Sequence, residues 1–166
     1  MKKILFAASE AVPFMKTGGL ADVTGSLPKY FDKKNYDVRV ILPKYVCMEE
    51  RWKGQLHFLC HFYVNLSWRK QYVGIFETTY DGITYYLVDN EFYFAGNAPY
   101  NNIYEDVEKF AFFSKAVLEA LPYLDFCPDI IHCHDWQTGL LPVFLRTLYG
   151  DEEYYTGIKT VFSIHN

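Results

Sequence analysis

At 166 residues the chain is long enough for one domain with a substantial core, because a domain of roughly 150 residues buries about 70% of the surface its unfolded chain exposes. Hydrophobic residues make up 51% of it and aromatics 19%, which excludes general disorder. A net charge of −4 argues against a nucleic-acid partner, and no stretch approaches the ~20 apolar residues of a membrane-spanning helix, so neither nucleic acid nor membrane is expected as a partner.

The chain opens on Met1-Lys2-Lys3 followed by Ile4 to Ala8, a beginning superficially like a signal peptide. The apolar run is too short for that and is ended by Ser9 and Glu10. Lys2 to Ala8 therefore reads as a strand buried on both faces, as in a parallel sheet, and a cytoplasmic location is expected. A glycine loop at Gly18-Gly19 leads into a helix over Leu20 to Phe31, with Asp22 in its first turn, where the helix dipole favours negative charge. Asp37 to Leu42 is a second strand stopped by Pro43.

Gln55 to Asn65 and Val73 to Thr79 are strand-like and aromatic. Asp81-Gly82 before Ile83 to Leu87 is a hairpin signal, since both residues tolerate positive φ. Apolar residues recur at three- and four-residue steps from Val107 to Leu121, which predicts a helix. Glu105, Asp106 and Glu108 at its start read as complements to the helix dipole rather than as catalysts. Pro128 to His134 is a strand, Thr138 to Tyr149 a helix ended by Gly150, and Lys159 to Ile164 a final strand. There is no repeat, low-complexity tract or linker. The order β-α-β, antiparallel insertion, α-β-α-β implies an α/β fold: a Rossmann-like, doubly wound, mostly parallel sheet with an antiparallel hairpin insertion. Cys47, Cys60, Cys127 and Cys133 show no C-x-x-C spacing and are expected to be reduced thiols.

Three polar segments follow predicted strands. In Ser9 to Val23, Gly18 and Gly19 let backbone N–H groups approach an anion at a helix N-terminus, and Lys16 adds a full positive charge. The pattern is neither a Walker A loop nor G-x-G-x-x-G, and a tight turn with a solvated lysine fits it equally. In His132-Cys133-His134-Asp135-Trp136 the two histidines point the same way from a strand. Two histidines and an aspartate suit a metal, but no further ligand cluster accompanies them. A core histidine with a capping aspartate, or polar sugar recognition, are the other readings. Ser163-Ile164-His165-Asn166 is the third segment. Ligands of open α/β sheets bind outside the carboxyl ends of the strands, so Lys16, Asp135 and His165 are expected to converge on one crevice.

Lys16-Thr17-Gly18-Gly19-Leu20-Ala21-Asp22-Val23 resembles the signature loop of bacterial glycogen synthases and plant starch synthases. His134 to Leu140 and Ser163 to Asn166 are similar to two further motifs of that family, in the same order, and Leu42-Pro43-Lys44-Tyr45 and Ser9-Glu10 also fit. The resemblance implies transfer of glucose from ADP-glucose to the non-reducing end of an α-1,4-glucan such as glycogen, with retention. It implies the GT-B arrangement of two facing Rossmann-like domains, with no metal and no cofactor. Carried over by position, Lys16 contacts the donor's phosphates or bound sugar. Gly18 and Gly19 leave room beside it, and Asp22 organises the loop. Asp135 lies near the reacting sugar, His165 hydrogen-bonds the donor glucose, and Tyr100 lines the cleft. The chain stops at Asn166 inside a family motif. Residues 1–166 are therefore expected to be a partial N-terminal, acceptor-side domain, inactive alone, without the C-terminal nucleotide-binding domain. A non-catalytic maltooligosaccharide-binding module and a UDP-glucose-dependent transferase are the competing readings.

Overall fold

Successive side chains of a strand point to opposite faces, and β1 (Lys2–Ala7) is apolar on both. Leu5 and Ala7 join a cluster of 29 buried residues, while Ile4 and Phe6 join a separate cluster of 11. β2 (Tyr36–Pro43) splits in the same way, with Ile41 in the larger cluster and Val38, Val40 and Leu42 in the smaller. Strands buried on both faces need covering layers on both, and the connections supply them.

The computed structural model describes all 166 residues. After β1 come α1 (Gly19–Ser26), β2, α2 (Glu50–Lys53), β3 (His57–Leu66), β4 (Arg69–Tyr80) and β5 (Ile83–Asp89). Then follow α3 (Ile103–Ala120), β6 (Ile130–His134), α4 (Leu140–Thr147) and β7 (Lys159–Ser163). The seven strands form one sheet in the order β3-β4-β5-β2-β1-β6-β7. β5, β2, β1, β6 and β7 run parallel, and β4 and β3 extend the sheet antiparallel beyond β5. From β1 the chain steps to β2, crosses to the far edge at β3, comes back through β4 to β5 beside β2, and then returns to β6 on the other side of β1 and ends at β7. The order therefore reverses between β1 and β6, and the loops leaving those two strands frame the switch point of this Rossmann-like sheet.

α3 and α4 cover the face of the larger cluster through Phe113, Val117, Leu141 and Leu145. On the other face Phe14 packs edge-on to Tyr85 at 4.8 Å and Phe31 to Phe6 at 6.1 Å. α1 packs against the loop leaving β1 so closely that a Cβ on Gly25 would lie 2.3 Å from Val12 Cγ2 and 2.7 Å from its carbonyl oxygen.

The predicted elements are present, with altered bounds. The helix expected over Leu20 to Phe31 ends at Ser26 and tightens into a 3₁₀ turn over Leu27–Tyr30, because Pro28 has no N–H to continue the α ladder. α3 starts at Ile103, ahead of the apolar periodicity, since the Asn102 side chain accepts the N–H groups of Tyr104 and Glu105. The helix expected over Thr138 to Tyr149 is a 3₁₀ turn at Trp136–Thr138 followed by α4. Asp81-Gly82 makes the β4–β5 turn with both φ values positive, as read from the sequence. The β3–β4 turn at Ser67-Trp68 carries no Gly or Asn signal, although Ser67 adopts φ 57°.

Gly25→Ala is expected to lower stability by about 1–3 kcal/mol, the range for overpacking a filled site. Urea denaturation checks this; an unchanged midpoint would show that the Val12 loop yields at no cost.

Candidate active site at the strand switch point

The loops leaving β1, β6 and β7 meet at a cleft of about 540 Å³. Its wall includes Glu10, Gly18, Gly19, Tyr100, Asp135 and His165, with Thr17, Gln137 and Asn166 beside them. Five of the seven residues singled out from the sequence therefore share one cavity. Lys16 and Asp22 do not line it. The Lys16 ammonium is turned onto the Asp22 carboxylate at 2.8 Å, with both side chains about half exposed. The expected convergence holds for Asp135 and His165 and fails for the Lys16 side chain, because Asp22, one helical turn into α1, is its nearer counter-charge.

Gly18 and Gly19 open α1, and no side chain caps that helix N-terminus. The first N–H groups of a helix have no intrahelical partner and favour an anion. A Cβ on either glycine would meet no atom within 4 Å, so neither is required by packing, and the room they leave belongs to the cleft.

Glu10 ties this loop to the rest of the site. It is 3% exposed, and its carboxylate accepts the Thr17 N–H at 2.5 Å, the Thr17 hydroxyl at 2.7 Å and the Tyr100 hydroxyl at 2.6 Å. Burial, and then the bond to Glu10, hold the Tyr100 phenol well above its ordinary pKa. With that proton committed to Glu10, the Ser9 hydroxyl donates to the Tyr100 oxygen at 2.7 Å. The loop carrying Tyr100 is anchored from α3. Buried Asp106 accepts the Asn101 N–H, and buried Lys109 donates to the Pro99 carbonyl at 2.8 Å and to Asp106 at 3.2 Å. Asp106 thus does more than complement the helix dipole. Glu108, in contrast, pairs with Arg69.

Asp135 follows β6 with φ 61° and ψ 177°, a region essentially reserved for glycine. It is 6% exposed, and its carboxylate accepts the His165 backbone N–H at 2.6 Å. It caps no helix N–H with its side chain, so the capping-aspartate reading is set aside. His132 and His134 lie on one side of β6, as alternation requires, with ring centroids 4.1 Å apart. No group of three or more His, Cys, Asp or Glu side chains is placed to hold a metal ion. Burial, and then the neighbouring histidines, push the His134 pKa down to about 3, and His132 is lowered by burial and then by His165.

Glu10, Thr17 and Gln137 were given no role from the sequence. The available signal was position: Glu10 is an acid directly after a buried strand, at its carboxyl end. Its partners Thr17 and Tyr100 lie 7 and 90 residues away, and no local pattern announces the second.

Residues 3–166 match the family described as starch synthase catalytic domain. The chain belongs to that family. It is 66% identical over its whole length to a glycogen synthase of Lachnoclostridium phytofermentans and 61% to one of Lachnospira eligens. It spans 35% of the length of each. The structure of the catalytic domain of starch synthase IV from Arabidopsis thaliana, bound to ADP and acarbose, superposes with a TM-score of 0.86 at 29% identity. That match covers 99% of this chain and 34% of that one. The doubly wound fold is thus shared with a starch synthase catalytic domain, and no helix is long and apolar enough to cross a membrane.

Two outcomes are expected. Asp135→Gly should be more stable than Asp135→Ala by about 1–3 kcal/mol in urea denaturation, because both lose the carboxylate but only glycine is at ease at this φ and ψ. Equal midpoints would mean that the backbone there relaxes freely. The second concerns pH. An unfolded chain protonates its imidazoles near 6.5, whereas folding holds His134 uncharged to about 3. Between those values the unfolded state binds more protons, so stability should fall as pH drops from about 6.5 toward 3. His134→Asn should flatten that decline, to which His132, also held below its ordinary value, adds in the same direction.

Proposed function

We propose that this chain is the partial N-terminal, acceptor-side domain of a GT-B glycogen synthase. The whole enzyme transfers glucose from ADP-glucose to the non-reducing end of an α-1,4-glucan with retention, and the C-terminal nucleotide-binding domain lies outside this chain. The observation that carries the reading is the shared cleft: an uncapped helix N-terminus at Gly18-Gly19 faces the same cavity as Asp135 and His165. Membership of the starch synthase family and the glycogen synthase relatives give that cleft its chemistry.

In this reading the α1 N-terminus takes the donor's phosphates, because its free N–H groups and dipole favour negative charge. Lys16 joins them by leaving Asp22. Exposed ion pairs contribute roughly 0–1 kcal/mol, so a pyrophosphate outcompetes the carboxylate, and Asp22 holds the lysine near the loop until then. Asp135 and His165 face the reacting sugar, His165 hydrogen-bonding the donor glucose. Tyr100, held by Glu10, shapes the wall beside them. A cytoplasmic location belongs to the same proposal, and the four unpaired cysteines agree with a reducing compartment. One wall of a two-sided cleft cannot preorganise charge around a transition state, so the 166-residue chain alone is inactive.

The test is transfer of labelled glucose to glycogen by the complete reading frame, from ADP-glucose and from UDP-glucose. Incorporation from ADP-glucose is expected, with Lys16→Ala lowering kcat/KM by about 10–10²-fold, the effect of losing one hydrogen bond to a charged group worth about 1.5–3 kcal/mol. Incorporation from UDP-glucose alone would move the donor assignment. No incorporation from either, with glycogen still bound, would replace the synthase reading with a glucan-binding one.

A further inference from the structure

His132, His134 and His165 form a file of rings, with centroids 4.1 Å apart for the first pair and 5.1 Å for the second. The middle ring is 1% exposed. Its Nδ1 lies 2.9 Å from His165 Nε2, and its Nε2 is buried with no partner. The groups around it are the rings of Phe6, His132 and His165, and no carboxylate hydrogen-bonds it. Burial keeps His134 uncharged, so it carries one proton, on one nitrogen or the other.

Only one arrangement avoids a buried, orphaned donor. If the proton sat on Nε2, an N–H would point into the core unmet, and Nδ1 would have to accept from His165. If it sits on Nδ1, it is donated to His165 Nε2, and the orphan is a lone pair. Buried N–H groups without partners are rarer than buried acceptors without donors. The remaining neighbours do not disturb this choice, because His132 is already engaged with the Ser163 hydroxyl at 2.7 Å. The His165 backbone is itself pinned by Asp135.

We infer that His134 is a positioning residue. Its Nδ1–H donates to Nε2 of His165 and thereby fixes His165 with its single proton on Nδ1. Which nitrogen of a histidine bears the proton is set by the bond the other nitrogen makes. His165 lines the cleft and has one ring nitrogen left. That nitrogen is a hydrogen-bond donor and not a lone pair. On the reading that the cleft holds a sugar nucleotide, His165 serves oxygen atoms of the bound sugar. It cannot withdraw a proton there, and any base in the reaction must be another group.

The tautomer is read by nitrogen NMR on the 166-residue chain with 15N-labelled histidine, which distinguishes a protonated ring nitrogen from a bare one. His165 is expected to show Nδ1 protonated and Nε2 bare, and His134 to show Nδ1 protonated. A protonated Nε2 on His165 overturns the inference, and this measurement needs no variant to fold. His134→Asn places an amide N–H where Nδ1 stood and should preserve the His165 tautomer. His134→Leu should lose it. In the complete enzyme, His134→Leu should lower kcat about tenfold or more, while His134→Asn stays within about threefold, by analogy with the roughly 10–100-fold losses seen when a metal-bound histidine loses its hydrogen-bond partner. Equal losses in both variants with the His165 tautomer unchanged would also overturn it. Absence of glucosyl transfer by the wild-type enzyme would refute the synthase reading and leave the tautomer result standing.

Discussion

Glu10 carries a carboxylate that folding has removed from water, and the shape of the cleft follows from how that group is satisfied. A buried charge without partners costs far more than a domain's marginal stability can absorb. Glu10 therefore accepts from Thr17 twice and from Tyr100 once. These bonds join the exit of β1, the glycine loop before α1 and the loop before α3. Beneath them the Thr24 hydroxyl donates to the Glu10 carbonyl at 2.6 Å, and the Tyr45 hydroxyl donates to the Ser9 carbonyl at 2.7 Å. The first wall of the cleft is thus a network whose members hold one another in place.

The second wall is built on strain. Asp135 sits in a backbone region that costs of order 1–3 kcal/mol for a residue with a side chain. What maintains it is the pairing of β6 with β7 and the bonds on either side. Asp135 N–H donates to the Ser163 carbonyl at 2.9 Å, and the Thr138 hydroxyl donates to the His134 carbonyl at 2.9 Å. The strained turn aims the carboxylate back at His165, so the residues leaving β6 and β7 are fixed relative to each other. A relaxed turn there would keep the sheet and lose the register of the site.

The two walls differ in what they leave free. The glycine loop presents unbonded N–H groups and empty space beside them, while Lys16 waits in an exposed pair with Asp22. A ligand bringing negative charge therefore finds preorganised dipoles in the cleft and, beside it, a cation held only by an exposed ion pair. Asp135, His134 and His165, by contrast, are already locked to one another.

Much of this was legible in the amino-acid sequence, because the relevant rules are local. Apolar strand runs, the Asp81-Gly82 turn and polar residues directly after strands follow from periodicity and backbone sterics over a few residues. They were enough to give the α/β order and to set the glycine loop, Asp135 and His165 at the carboxyl ends of strands around one cleft, whereas Tyr100 was placed there only by the family resemblance. The helix bounds near Pro28 and Asn102 were misread, because periodicity was followed past the missing N–H of one and short of the cap made by the other. Tertiary structure alone decided that Lys16 turns to Asp22 and that Glu10 binds Tyr100. It alone decided that Asp135 takes a glycine-like φ and that His134 meets His165. Each of these depends on distances between segments far apart in the chain, and on which polar groups burial has stripped of water. Sequence spacing does not contain those distances; the packed sheet does.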